Sequence, residues 1–298
     1  MRIRGFESSL MEKPYEFAPV ALARLCCNTE VSNALASVMA IEDAFKVSVP
    51  KEAIILRKIA NLGEIIEGNA IKLRPFRDTE ELIEIGEKIK LIAGKKAKYI
   101  VVGGVSKNIS EKRKEKLKEL AKEGLNYISR EFIEMVNERK KKIPLPDLNL
   151  VSANSFSIED VEVNGFPKNA LFYKRAVYSG PLSRMYEKGV INSKNTWDIL
   201  IARELEMEMA LKEVFELLNK LTLTYPYIEP TVNDGKGKAI VESPEGLVYH
   251  EVVIKNGRID DYTIINGEHF NKVVLDRIEE NKEEAERIFG FCERCYYL

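Results

Sequence analysis

The stretch KEAIILRKIANLGEIIEGNAIKL, residues 51–73, constrains this chain more than any other, because its apolar side chains fall around much of a helical circumference. A helix of that kind is buried in a bundle and does not lie on a surface. Before it, EVSNALASVMAIEDAFK (30–46) places Val31, Leu35, Val38, Ile41 and Phe45 at helical spacing, and Val49-Pro50 ends the run. A third long helix is predicted over 195–221, NTWDILIARELEMEMALKEVFELLNKL, capped by Asn195 or Thr196. Met207 and Met209 read as packing positions within it.

Between these helices the patterns are shorter. TEELIEIGEKIKLIA (79–93) is amphipathic, and KYIVVGGVS (98–106) reads as a short buried extended segment meeting a Gly-Gly turn. From Ser110 the spacing predicts one charged helix to about Lys142, with Leu117, Leu120, Ala121, Leu125, Ile128 and Phe132 as its apolar stripe. PLPDLNLVSANSFS from 144 reads as a connector. Beyond 235 the period changes to alternation, with Asn256-Gly257 a two-residue type I′ hairpin signal. A single helix is then expected over 270–288. The fold class is therefore mainly α with a smaller β region (α+β), read as one domain over 1–298. Its helical core spans about 30–142 and 195–221, its β region 235–266, and 270–298 carries the last helix and a C-x-x-C.

At 298 residues the chain can bury a sizeable core without disulfides. With 46 basic and 47 acidic residues it offers no electrostatic case for nucleic acid or an anionic membrane. No segment has the run of apolar residues that spans a bilayer, and MRIRGFESSLMEKP lacks the apolar middle of a signal peptide, so a cytoplasmic location is expected. Four cysteines stand at two places, Cys26 and Cys27 near the start and Cys292 and Cys295 at the end. In a reducing compartment such thiols are metal ligands, redox groups or plain buried residues sooner than disulfides. A closed four-cysteine zinc site is disfavoured, since adjacent Cys26 and Cys27 cannot easily both face one ion.

Several motifs then occur in an ordered series: Arg4-Gly5-Phe6-Glu7, Ala23-Arg24-Leu25-Cys26 before a helix, Gly180-Pro181-Leu182-Ser183-Arg184, Glu242-Ser243-Pro244-Glu245-Gly246 before a hairpin, and Cys292-x-x-Cys295. Weaker echoes are Ile66-Glu67-Gly68-Asn69, Val102-Gly103-Gly104-Val105 and Asn271. Together they resemble the large subunit of nickel-iron hydrogenases, nearest to the archaeal F420-reducing and heterodisulfide-reductase-linked type. The resemblance spans essentially the whole chain. It implies that the chain ends meet in a buried pocket, where cysteine thiolates hold nickel and bridge to an iron carrying carbon monoxide and cyanide. Soft thiolates suit those metals. It also implies an iron-sulfur small-subunit-like partner, faced by Arg4, Gly5, Phe6 and Glu7.

The departures bear on the carry-over. Carried onto this sequence, the metal residues are Cys26, Cys292 and Cys295, with Cys27 a candidate fourth because Thr29 stands at the family's second ligand position. Asn33 replaces a family histidine, Gly290-Phe291 replaces Asp-Pro, and Leu298 replaces the terminal histidine. Arg24, Thr29, Glu242 and Glu245 would surround the metal, with His250 nearby, although His250 on an alternating strand also reads as structural. Glu245 stands where the family has arginine, an anion for a cation, which repels further negative charge and raises nearby proton affinities. Ordinary hydrogenase activity is not expected. Two readings follow: a metal-bearing redox subunit holding nickel, iron or both, or a metal-free scaffold subunit of a redox complex. A zinc site or a thiol-disulfide pair at Cys292 and Cys295 is a third.

Overall fold

The computed structural model describes residues 6–26, 28–139, 143–146, 148–156, 161–164, 169–172 and 175–291. Two short helices, α1 (Phe6–Leu10) and α2 (Phe17–Leu22), lead into α3 (Glu30–Phe45) and α4 (Lys51–Leu73). The periodic stretches thus form helices almost to the expected residue. Pro50 sits at the N-cap of α4, where its missing N–H costs nothing, and Lys46 closes α3 in the left-handed conformation. Along α4, Leu56, Ile59, Ala60, Ile66, Ala70 and Leu73 are fully buried. They are buried because α4 lies against α5 (Glu80–Gly94) on one side and α9 (Asp198–Lys220) on another.

The segment 98–106 is a minimal antiparallel hairpin of β1 (Ile100–Val101) and β2 (Gly104–Val105). The charged region from Ser110 is two helices and not one, α6 (Glu111–Leu125) and α7 (Arg130–Arg139). Ser110 caps α6 as its side chain accepts from the Arg113 N–H. The interruption has a tertiary cause: the Ser129 N–H donates to Glu204 of α9 at 2.7 Å, while the Ser129 hydroxyl accepts from the Phe132 N–H. Leu117, Leu120, Ala121 and Phe132 still share one buried side.

The stretch read as a connector holds one strand, β3 (Asn149–Val151), and beyond it lie β4 (Val161–Asn164), β5 (Asn169–Phe172) and β6 (Val177–Ser179). β3 pairs parallel with β6, and β4 pairs antiparallel with β5. From β6 the chain turns directly into α8 (Pro181–Glu187), with Pro181 at its first turn. α9 begins three residues later than the sequence suggested. Asn195 accepts from the Trp197 N–H, and Asp198 accepts from the Asn195 N–H.

The β region is a three-stranded antiparallel meander, β7 (Gly235–Ser243), β8 (Gly246–Lys255) and β9 (Arg258–Asn266). Asn256 and Gly257 both have positive φ, 51° and 71°, as a type I′ turn requires. β7 and β8 lie on α3, so the sheet closes the helical core from one side. The last predicted helix is two, α10 (Gly267–Asp276) and α11 (Lys282–Phe289), divided before Asn281, which is left-handed at φ 53°. α10 opens on Asn266, whose N–H donates to His269 Nδ1 at 3.1 Å, so that a side chain of the first turn reaches back to the N-cap. Among the described residues no helix is long and apolar enough to cross a membrane.

Candidate functional site

Of the four cysteines, Cys26 is described and buried, 1% exposed, in the loop between α2 and α3. Cys27, Cys292 and Cys295 lie outside the described residues, as do Arg4 and Gly5. Arg24 is exposed at the surface. Phe6 is half-buried against the core, and Glu7 accepts from the Ile264 N–H at 2.7 Å, tying α1 to the edge of β9. Among the described residues no three of His, Cys, Asp and Glu are grouped as metal ligands would be.

Thr29 follows the Cys26 loop at the N-cap of α3 and is buried. Asn33, one turn on, donates to the Thr29 carbonyl and hydroxyl, both at 2.8 Å. Its carbonyl oxygen faces His250 Nε2 at 3.3 Å, and His250 Nδ1 lies 3.0 Å from the Tyr262 hydroxyl. The Tyr262 and Ser37 hydroxyls are 2.9 Å apart. His250 is therefore a fully buried core histidine linked to the Cys26 loop through Asn33. Burial pushes the Tyr262 hydroxyl well up, so it stays protonated.

The start of α3 is held by a residue the sequence did not single out. Glu64 on α4 accepts from the Val31 N–H at 2.5 Å, the Ser32 N–H at 2.9 Å and the Ser32 hydroxyl at 2.6 Å. These are donors that a helix N-terminus leaves open. Desolvation nonetheless outweighs those bonds and the nearby Lys90 charge, and raises the Glu64 carboxyl to about 7. Lys90, itself 2% exposed, bridges Glu30 at 2.7 Å and Glu67 at 2.5 Å.

The remaining motifs, far apart in sequence, converge on one buried polar node. Arg184 of the Gly180–Arg184 motif forks onto Glu206 at 2.5 and 2.8 Å and reaches Glu242 at 2.5 Å. Burial would raise the Glu206 carboxyl, but the Arg184 guanidinium outweighs it and holds Glu206 below the usual carboxylate range. Glu206 also accepts from Asn69, whose carbonyl oxygen accepts from Arg203 at 3.0 Å. Arg203 then donates to the Phe289 carbonyl at 3.0 Å. Asn271 binds Ser179 in both directions and the Glu245 carbonyl.

Glu245 is not an uncompensated anion. Lys72 on α4 meets it at 2.6 Å with both side chains 5% exposed, so the position that loses the family cation gains one from another helix. The same ammonium donates to the Gly290 carbonyl. The backbone just before Cys292 is thus fixed by two buried cations, Lys72 at Gly290 and Arg203 at Phe289. Sequence reading missed Lys72, Glu206 and Glu268; the signal was a charge placed on an otherwise apolar helical face.

Beside the node lies a cavity of about 710 Å³, walled by Met39, Glu42, Arg57, Arg184, Ile240 and Glu242 among others. Glu42 and Arg57 form a two-pronged pair at 2.6 and 2.9 Å, and they hold the β1–β2 turn through the Gly103 N–H and the Gly104 carbonyl. This explains the Val102–Val105 echo.

An uncharacterised protein from Methanocaldococcus jannaschii is 56% identical over 300 residues, covering all of both chains. The alpha subunit of coenzyme F420 hydrogenase from the same organism is 24% identical over 351 residues, 98% of this chain and 84% of that one. Sulfhydrogenase 2 subunit alpha of Pyrococcus furiosus is 24% identical over 96% of this chain and 84% of its own. Among solved structures, the nickel-iron-selenium hydrogenase of Desulfovibrio vulgaris Hildenborough superposes with a TM-score of 0.80 at 16% identity, covering 99% of this chain and 92% of that one. An NAD+-reducing nickel-iron hydrogenase gives 0.83 at 16% identity, over 100% and 92%. No family model matches the chain. The fold is that of nickel-iron hydrogenases. The chain belongs to the nickel-iron hydrogenase large-subunit family, as a diverged member.

Proposed function

We propose that this chain is a metal-bearing redox subunit in which Cys26, Cys292 and Cys295, with Cys27 as the fourth thiol, hold nickel, iron or both. The observation that carries the reading is the anchoring of the last described backbone. Phe289 and Gly290 are each bound by a buried cation at the node where the motifs converge. The donor set fits soft metals, since thiolates are their preferred ligands, and ammonium and guanidinium groups nearby favour the thiolate form. Such a metal would supply a site for reversible electron transfer. The chain's own residues would bury Cys26, order the loop through Thr29 and Asn33, and keep a cation beside Glu245. Thr29 and Asn33 at positions where the family carries a ligand and a histidine argue against ordinary hydrogenase turnover.

Electrons would pass to an iron-sulfur partner resembling a hydrogenase small subunit, with the Arg4–Glu7 segment and the Arg24–Thr29 loop at the contact. Exposed Phe17 and Val20 of α2 and exposed Arg24 just before Cys26 suit that role. The test is the metal content of protein purified without oxygen together with its co-purifying partner, read by elemental mass spectrometry, with an infrared scan for bound carbon monoxide and cyanide. Stoichiometric nickel or iron, lost in Cys292→Ser, is expected. An intact, folded complex without metal would sink the proposal and leave the scaffold reading in its place.

A further inference from the structure

Glu245, in the turn between β7 and β8, and Glu268, in the first turn of α10, bring two carboxyl groups into one dry site. Glu245 is 6% and Glu268 1% exposed. The two side chains are within hydrogen-bonding reach of each other. Lys72 supplies one positive charge, on Glu245 Oε2. Among the described residues, Glu245 Oε1 and both oxygens of Glu268 have no hydrogen-bond donor from another residue.

Two ionised carboxylates within that reach repel each other, and the Lys72 ion pair is made to Glu245 and not to Glu268. One proton between the facing oxygens removes the repulsion and turns orphaned acceptors into a short O–H···O⁻ hydrogen bond. We propose that Glu245 and Glu268 share a single proton, forming a buried proton-exchange site that is mechanically tied, through Lys72, to the anchor of the C-terminal segment at Gly290. This goes beyond the metal reading and does not rest on it.

The charged and titratable groups facing the pair are Lys72 from α4, Arg203 from α9 and the Tyr178 hydroxyl of β6. Burial first, then the Glu245 charge, pushes the Glu268 carboxyl well above the ordinary carboxylate range, and Lys72 only partly offsets this. Tyr178, pushed up to about 12 by burial, remains neutral. When the pair releases its proton, the O–H bond of the carboxyl breaks, its electron pair stays on oxygen, and the proton passes to a solvent base. Lys72 then faces two anions, and its bond to the Gly290 carbonyl is drawn down.

Infrared spectroscopy of the full chain with isotopically labelled glutamate reads the proton directly. At alkaline pH, above the titration of Glu64, wild type should keep the C=O stretch of a protonated glutamic acid, shifted by deuterium oxide. Both Glu268→Gln and Glu245→Gln should lose it, the second because the remaining carboxyl pairs with Lys72. A missing band in wild type would overturn the proposal, as would a band that survives in either variant. The wild-type measurement stands even if a variant fails to fold. The tie to the anchor is read by amide hydrogen exchange over 282–291 at one strongly alkaline pH. Wild type should exchange faster there than Glu268→Gln, whereas equal rates would break the link between the proton and the anchor. Neither readout depends on metal, so its failure is separable from that of the metal reading.

Discussion

Asn33 on α3 and His250 on β8 stand 3.3 Å apart in the core, 217 positions apart in the chain. The amide nitrogen of Asn33 is committed to Thr29, so its oxygen accepts the Nε2–H of His250, whose Nδ1 lies 3.0 Å from the Tyr262 hydroxyl. Replacing Asn33 by Leu leaves the Thr29 oxygens and the Nε2–H without these partners, at about 1–3 kcal/mol. Denaturant unfolding measures this, and Asn33→Leu unfolding at the wild-type midpoint would show that the link carries no stability.

Glu64 gives the chain a specific pH response. Its folded carboxyl titrates near 7 against an ordinary value of 4.5. A carboxyl raised on folding favours the protonated native state. Its contribution to stability is complete below about 4.5 and is lost as pH rises through about 7. Glu64→Gln keeps the neutral form at every pH, so the fall in melting temperature over that window should be shallower in the variant. Parallel curves for the two proteins would mean that Glu64 does not titrate there.

Arg184 tests the node. It is the cation shared by Glu206 and Glu242, with 8% of its side chain exposed. Arg184→Met leaves two carboxylates facing each other without it, a loss of about 3–5 kcal/mol. Arg184→Lys should recover little, because an ammonium cannot fork onto Glu206. Pairing Arg184→Met with Glu206→Leu should be less damaging than Arg184→Met alone, a double-mutant cycle read by chemical denaturation. Additive losses would show that the pair is not coupled.

The long helices and the type I′ hairpin were legible because their signals are local. Apolar spacing alone fixes α3, α4 and α9, and Asn256-Gly257 alone fixes its turn. The split between α6 and α7 was not, since it depends on Glu204 of α9 taking the Ser129 N–H. Nor was the parallel pairing of β3 with β6, whose strands are three residues each and are joined only by tertiary register. At the site, Arg184, Glu242 and Glu245 stood out through the family motifs. Lys72, Glu206 and Glu268 did not, because a charged residue on a helix ordinarily reads as part of a solvated face. Their burial follows from which helices surround them, and that is not written in any one segment.

Gly237 on β7 marks where the sheet and the helical core come closest. A Cβ there would stand 2.1 Å from the Ala40 carbonyl oxygen and 2.2 Å from the Ala44 nitrogen, both backbone atoms of α3. Backbone cannot swing aside as a long side chain can, so Gly237→Ala must push β7 off α3. Overpacking of this kind costs about 1–3 kcal/mol in a core that can adjust, and more where it cannot. The displacement would be felt along β7 toward Glu242, which accepts from Arg184 at the far end of the same strand. The expected outcome is a lower melting temperature together with faster amide exchange at both Gly237 and Glu242. A variant that is destabilised only around Gly237 would show that β7 does not transmit the shift to the node.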